Sequence, residues 1–156
     1  MTNQTTSGDK SLTAQMLDEF NKALKLYRAT APEIDYTNIV NLNVDQIRVL
    51  DKEDCFEYAN LCMQYAIYLQ RSENRERARL AVCENFIWKL AAKTWNDIEF
   101  FGKAEVRCQV LAQENPKLRQ YLDEKANIEA RVQEISGLAN LTQRQAEIYK
   151  EMARSK

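Results

Sequence analysis

Histidine is absent from this chain of 156 residues, which also contains only three glycines and two prolines. Without histidine the chain cannot form a Ser-His-Asp or Cys-His catalytic pair, nor a zinc or di-iron site that uses histidine ligands. It also lacks the glycine-rich phosphate loops GxGxxG and GxxxxGKS/T. We therefore expect a non-enzymatic protein with no catalytic residue, no cofactor and no metal ion.

The scarcity of glycine and proline also bounds the fold, because these residues supply many turns and helix ends. Ala, Leu, Glu, Gln, Lys and Arg, which favour helices, dominate the sequence. The composition predicts an all-α fold. The length suits a single domain over residues 11–156, after a polar, disordered tail at residues 1–10.

Two further absences bear on location. No apolar segment approaches the roughly 18 residues of a membrane span, and the polar start MTNQTTSGDK has no signal-peptide character. The cysteines at positions 55, 62, 83 and 108 form no CxxC pair, which is typical of reduced, buried thiols and not of a disulfide framework or a zinc site. We expect a cytoplasmic protein with no membrane partner.

The longest predicted element is a central helix over residues 51–101, roughly 75 Å long at 1.5 Å per residue. Asp51-Lys52-Glu53-Asp54 is typical of a helix N-terminus, and no Gly or Pro follows before Gly102, where we expect a bend after Phe100-Phe101. Steps of three and four residues place an apolar stripe along this helix, which predicts helix–helix packing. The stripe comprises Cys55, Ala59, Cys62, Ala66, Leu69, Leu80, Cys83, Ile87, Leu90 and Phe101.

Other segments flank the central helix. We predict a first helix over 12–29, an extended or loop segment over 33–42 and a short helix over 44–50. After the bend, a helical segment over 103–113 precedes the C-terminal helix over 116–154. The overall architecture is a long-helix bundle or a coiled-coil-like assembly.

Two local signals shape the C-terminal helix. Asn115-Pro116 is typical of an N-cap followed by proline at the first helical position. Gly137, inside the predicted helix, marks a kink or a close crossing of helices.

Glu73 and Glu76 interrupt the apolar stripe of the central helix, and two interpretations stay open. In the structural one, Glu73 pairs with Arg77 one turn on, and the two acids form a polar layer that fixes the packing register. In the other, inward-facing carboxylates serve an all-α, Mg²⁺-dependent nucleotide pyrophosphohydrolase, which would lose turnover on Glu73→Gln or Glu76→Gln.

A second stripe on the central helix is positively charged and includes aromatic rings. At about 100° per residue its cations fall on one side, while Glu73, Glu76 and Glu84 point elsewhere. Cations and rings on one face suit phosphate contacts combined with base stacking, so we predict a nucleic-acid site. The site comprises Arg71, Arg75, Arg79, Phe86, Lys89, Lys93 and Phe100.

The alternative for this stripe is a solvated face whose Lys and Arg stems cover the edge of the core. A net charge of −1 gives no global attraction to nucleic acid, so any such site must be a local patch. Trp88 and Trp95, seven residues apart on another face, are expected to be packing anchors and not base-stacking groups.

Two helices of this length bury their apolar stripes poorly in one compact chain, so we expect a homo-oligomer with the C-terminal helix as an interface. The residues predicted to form that interface are Tyr121, Ile128, Val132, Ile135, Leu138, Leu141 and Ile148.

The segment QYAIYLQRSENRERARLAVCENFIWKLAAKTWNDIEFFG, followed by a second long helix, resembles the UvsY-type recombination mediators of tailed phages. The matching elements are Tyr68-Leu69, Lys89 and Lys93, Phe100-Phe101-Gly102, and a helix from Leu118 to about Ala153. The resemblance covers about two thirds of the chain.

What the resemblance implies is a small helical protein that forms a ring-like homo-oligomer and binds single-stranded DNA. Such proteins help a RecA-like recombinase load onto strands covered by single-strand binding protein. The cations of the central helix would contact phosphates. If the chain is phage-encoded, it acts in the host cell cytoplasm.

The resulting prediction is a non-enzymatic, single-stranded DNA-binding recombination accessory protein. A different class stays open beside it, a helical protein-interaction adaptor or inhibitor that binds no nucleic acid and docks partner helices on its apolar stripes. The Mg²⁺-dependent hydrolase is the other alternative.

Overall fold

The computed structural model describes residues 36–96 and 102–156, and every regular element in these ranges is an α-helix. The predicted all-α, long-helix fold is confirmed. The predicted tail at 1–10, the helix over 12–29, and Phe100 and Phe101 lie outside the described residues. None of the described helices combines the length and the apolar character that crossing a membrane requires.

Six helices follow one another along the described chain. They are α1 (Tyr36–Val40), α2 (Val44–Val49), α3 (Lys52–Thr94), α4 (Ala104–Glu114), α5 (Pro116–Ile135) and α6 (Leu138–Ser155).

The long helix α3 begins where the sequence predicts. The Asp51 carboxylate accepts a hydrogen bond from the backbone N–H of Asp54 at 2.7 Å, which satisfies one of the free donors at the helix start. The helix ends at Thr94, earlier than predicted. Just after this end, the backbone carbonyl of Trp95 accepts a hydrogen bond from the Arg107 guanidinium. The last carbonyls of a helix have no partner within it, and a basic side chain can supply one.

The described residues form two compact units, whose boundaries lie inside α3 and α5. Unit 1 contains the described residues of Ala78–Glu129, and unit 2 contains residues 36–77 and Ala130–Lys156.

The core of unit 2 combines small and large side chains. Ala59 and Cys62 of α3 face Ala146 and Tyr149 of α6, and Ile39 of α1 joins them. The Tyr149 ring is fully buried, and its hydroxyl donates to the backbone carbonyl of Ile39 at 2.5 Å. One hydrogen bond thereby ties the first described helix to the last.

The core of unit 1 combines α3, α4 and α5. Its most buried side chains are Cys83, Ile87, Ala91, Cys108, Leu111, Ala112, Leu118, Tyr121 and Ile128. The Cys83 thiol donates to the carbonyl of Tyr121 at 3.3 Å. The Asn115 side chain accepts from the N–H of Leu118 at 3.1 Å, which confirms the predicted N-cap ahead of Pro116.

The predicted C-terminal helix over 116–154 is two helices in the structure, α5 and α6. Gly137 separates them with φ 82°, in the left-handed region that glycine adopts without steric cost. A Cβ built at Gly137 would meet nothing within 4 Å, so the glycine serves the break between the two helices and not a close crossing.

Two short helices precede α3. The helix α2 confirms the prediction for 44–50, and a reciprocal pair of bonds between Asn43 and Gln46 caps it. Residues 33–42 were expected to be extended or loop, but Tyr36–Val40 form a helix. The Tyr36 ring stacks on Tyr65 of α3, with ring centroids 4.3 Å apart, so a tertiary contact supports a turn that local propensity does not favour.

All four cysteines are free and buried, as small apolar residues of the core. Burial raises the pKa of the Cys62 and Cys83 thiols to about 11. These thiols are therefore protonated and weakly nucleophilic at neutral pH.

Candidate nucleic-acid-binding face

The cations predicted to bind nucleic acid lie on α3 in both units. Arg71 and Arg75 belong to the part of α3 in unit 2, and Arg79, Lys89 and Lys93 to the part in unit 1. Phe86 also lies in unit 1, whereas Phe100 lies outside the described residues.

The buried residues of α3 determine which way these cations face. Ile87 and Ala91 are at most 4% exposed, and Lys89 and Lys93 follow them by two residues, about 200° around the helix. Both lysines are therefore exposed to solvent.

The same relationship holds for the arginines of unit 2. Arg71 and Arg75 each follow a buried residue, Leu69 and Glu73 respectively, by two positions, and both are exposed. Arg79 is half-buried and its Nε atom is buried, so this residue is less exposed than Arg71 and Arg75.

Two carboxylates in the described part of α3, those of Glu73 and Glu84, are engaged in ion pairs. The Glu84 carboxylate lies 3.0 Å from the ammonium of Lys125, and Glu73 pairs with Arg77. Within the described ranges, Lys89 and Lys93 form no ion pair. Their charges are therefore not neutralised by a described carboxylate.

Phe86 was predicted to contribute an open ring for stacking, but its ring is already in use. It is half-buried and stacks on Tyr121, with centroids 5.9 Å apart and planes 10° from parallel. The Lys89 ammonium lies 5.3 Å from the centroid of the same ring, a cation–π contact. Phe86 therefore orients Lys89 and offers little free surface to a base.

The exposed ring on this part of α3 is that of Trp88, which was expected to be a packing anchor. Trp88 is 45% exposed and lies 6.1 Å from Trp95, centroid to centroid. With Ala92 and Asn96 these rings line an open groove of about 420 Å³. The Arg107 guanidinium sits over Trp95 at 4.5 Å and fixes one side of it.

The sequence contained part of the signal for this groove, since Trp88 and Trp95 share a face at heptad spacing. It could not show that Ala92 between them leaves the rings accessible. Arg107 comes from α4, so its contact with Trp95 could not be inferred from the periodicity of α3.

A second cavity in unit 1, of about 300 Å³, lies between α3, α4 and α5. Its apolar lining includes Ile87, Cys108 and Leu122, and its polar lining includes Lys125 with Glu84 and Glu129. The hydrogen bond with Glu84 raises the pKa of the Lys125 ammonium, which therefore stays charged.

The structure divides the residues predicted to mediate oligomerisation. Tyr121, Ile128 and Val132 are at most 8% exposed, so the chain itself covers them and they cannot contact a second copy in this conformation. Ile135 is half-buried. Only Leu138, Leu141 and Ile148, all on α6, present exposed apolar surface.

The acids considered for a Mg²⁺ site, Glu73 and Glu76, do not belong to a cluster of metal ligands in the described part of the chain. Glu73 is buried against Arg77 and the hydroxyl of Ser136, and Glu76 is half-buried. Among the described residues, no three His, Cys, Asp or Glu side chains converge as metal ligands. This geometry gives the hydrolase interpretation no support.

In unit 1, α3 therefore presents two exposed lysines and, about 100° round the helix from Lys89, an accessible indole. No protein-family model, curated protein or solved structure matches this chain. The resemblance to the UvsY-type mediators accordingly stays a prediction from the sequence.

Proposed function

We propose that this protein is a non-enzymatic, single-stranded DNA-binding accessory protein of recombination that acts as a homo-oligomer. The observation that carries the proposal is a pair of exposed lysines, Lys89 and Lys93, one turn apart on α3, with the exposed ring of Trp88 about 100° round the helix from Lys89. Neither lysine pairs with a carboxylate in the described part of the chain.

The chemistry of this face matches a flexible polyanion with bases. Lysine ammonium groups contact phosphates without reading sequence, and release of condensed counterions makes such binding salt-dependent. An indole stacks on any base, because every base has a π-face. Trp88 therefore takes the stacking role that was predicted for Phe86.

Few cations act in each copy, so binding by one chain is weak. Several copies on one strand raise the effective concentration of each site for the DNA, which increases avidity without a new contact. This is the physical reason that the proposal includes a homo-oligomer.

The resemblance to the UvsY-type mediators supplies the recombination context. On that basis we propose a RecA-like recombinase and a single-strand binding protein as partners, and the cytoplasm as the location. These partners require surfaces other than the lysine face, which the DNA occupies.

A fluorescence-anisotropy titration of a labelled single-stranded oligonucleotide at two salt concentrations tests the proposal. We expect binding at low salt and a clear loss of affinity at high salt. Absence of binding at low salt would overturn it. A labelled duplex of equal length is the control, and weaker binding to the duplex is expected because its bases cannot stack on Trp88.

One observation favours the adaptor as a second candidate. The 300 Å³ cavity of unit 1 has an apolar floor and carries Glu84, Glu105 and Glu129 against the single cation Lys125. This charge balance suits a basic side chain of a partner protein. Binding to a partner protein, with no oligonucleotide binding, would favour the adaptor.

A further inference from the structure

The helix α6 buries one stripe of residues and leaves another apolar stripe exposed. The buried stripe consists of Ala139, Thr142, Ala146, Tyr149 and Ala153, all at most 3% exposed. The exposed stripe includes Leu138 at 38%, Leu141 at 60% and Ile148 at 42%. Single exposed leucines are ordinary, but three large apolar residues aligned on one helix indicate a surface for another helix.

The exposed stripe has the spacing of a coiled coil. Leu138, Leu141, Gln145, Ile148 and Met152 follow one another at intervals of three, four, three and four residues, the a and d positions of a heptad repeat. We call these five residues the α6 stripe. Gln145 and Met152 are half-buried and continue the spacing between and beyond the exposed members, and Met152 also packs against the core of unit 2.

Charges beside the α6 stripe identify its partner. On the side away from the buried face lie Arg144 and Glu151, which are exposed, one heptad apart and of opposite sign. In an antiparallel pair of identical helices, Arg144 of each copy approaches Glu151 of the other, so the surface is complementary to itself.

A parallel pair would not satisfy these charges. Parallel coiled coils bring g positions, here Arg144 and Glu151, next to e positions of the partner helix. The e positions of α6 are Thr142 and Tyr149, which are buried against the rest of unit 2 and uncharged.

We propose that the α6 stripe is an antiparallel, two-fold symmetric interface with α6 of a second copy of this chain. Leu141 then packs against Met152 of the second copy, and Gln145 against Ile148 of the second copy. This interface would build the homo-oligomer of the proposed function, and its role in DNA binding rests on that proposed function. Its test contains no DNA, so its failure and a failure of DNA binding are separate results.

Sedimentation equilibrium over a range of concentrations tests the interface. The wild type should associate, and the double variant Leu141→Lys/Ile148→Lys should raise the Kd of association by about 100-fold or more, because it places charges at the centre of the interface. Val49→Lys is the matched control, since Val49 is an apolar residue 85% exposed outside α6. A monomeric wild type, or unchanged association of the double variant with unchanged helix content by circular dichroism, would overturn the proposal.

Charge reversal tests the pairing of Arg144 with Glu151. Arg144→Glu and Glu151→Arg should each weaken association, and the combined reversal should restore it. Weakening by each change without recovery in the combined variant would contradict the pairing.

Cross-linking tests the orientation. Leu141 of one copy and Leu141 of the other lie about 16 Å apart along an antiparallel pair, too far for a disulfide. Mixed Leu141→Cys and Met152→Cys proteins should therefore form heterodisulfides, and Leu141→Cys protein should form none with itself. Disulfide-linked dimers of Leu141→Cys protein would show a parallel pair and overturn the antiparallel interface.

Discussion

The Glu73 carboxylate accepts two hydrogen bonds from the guanidinium of Arg77, from Nε at 2.9 Å and from Nη2 at 2.7 Å. Glu73 is only 8% exposed, and the Ser136 hydroxyl lies 3.4 Å from the same carboxylate oxygen. The acid that interrupts the apolar stripe of α3 is thus a member of an internal polar cluster.

Arg77→Ala should lower the free energy of unfolding by about 1–2 kcal/mol, because it leaves the buried Glu73 carboxylate with only the Ser136 hydroxyl. Urea denaturation measures the change. Arg75→Ala is the control, since Arg75 is exposed and two residues away, and it should change stability by less than about 0.5 kcal/mol. Equal effects of the two substitutions would contradict a structural role for the Glu73–Arg77 pair.

Gly137→Ala should lower the free energy of unfolding by about 1 kcal/mol, because alanine is strained at φ 82° even though there is space for its Cβ. Gly137→Asn should cost less, since asparagine tolerates the left-handed region. Thermal unfolding of the two variants gives the comparison. A stabilising Gly137→Ala would mean that α5 and α6 readily join into one helix.

Stability should fall at alkaline pH because of the buried thiols. Burial raises the pKa of Cys62 and Cys83 from 9.0 to about 11, so the folded state retains protons that the unfolded chain loses. This contribution is fully present below pH 9 and is lost as the pH rises towards 11. Burial also raises the pKa of Tyr149 above its ordinary value of 10.0, so Tyr149 adds to the loss of stability above pH 10.

Urea midpoints measured between pH 8 and pH 11 should show this decline, within the window that the thiol pKa values set. The double variant Cys62→Ala/Cys83→Ala should be less stable at neutral pH, because it leaves cavities, but should show a shallower decline. An equally steep decline in that variant would assign the effect to other groups.

Trp88→Ala should weaken binding of single-stranded DNA by about 5- to 150-fold, the range for loss of one base–aromatic stack. Trp88→Phe keeps an aromatic ring and should retain most of the affinity. The same anisotropy titration measures both variants. Equal affinity of Trp88→Ala and wild type would exclude the groove from the DNA site.

Periodicity predicted much of α3, since Cys55, Cys62, Ala66 and Cys83 of its apolar stripe are all buried. The partner of Glu73 was also predictable, because Arg77 lies one turn further along the same helix. Both features depend on contacts or spacing within one helix.

Contacts from other helices were harder to predict. Periodicity assigned Leu138, Leu141 and Ile148 to an apolar stripe of the C-terminal helix, yet α6 packs through Tyr149 and several small residues, such as Ala139 and Ala146. Small side chains let two helix backbones approach closely, so burial did not follow side-chain size. The sequence of α3 also does not show that Phe86 is covered, because the ring that stacks on it, Tyr121, belongs to α5.

The salt dependence of single-stranded DNA binding by Lys89→Ala/Lys93→Ala tests the central claim most directly. Each lost phosphate contact reduces the slope of log K against log salt by about 0.7, so the double variant should bind more weakly and show a slope smaller by about 1.4. Lys52→Ala/Lys117→Ala removes two exposed lysines elsewhere and should leave the slope unchanged. Affinity and slope equal to wild type in Lys89→Ala/Lys93→Ala would contradict the account.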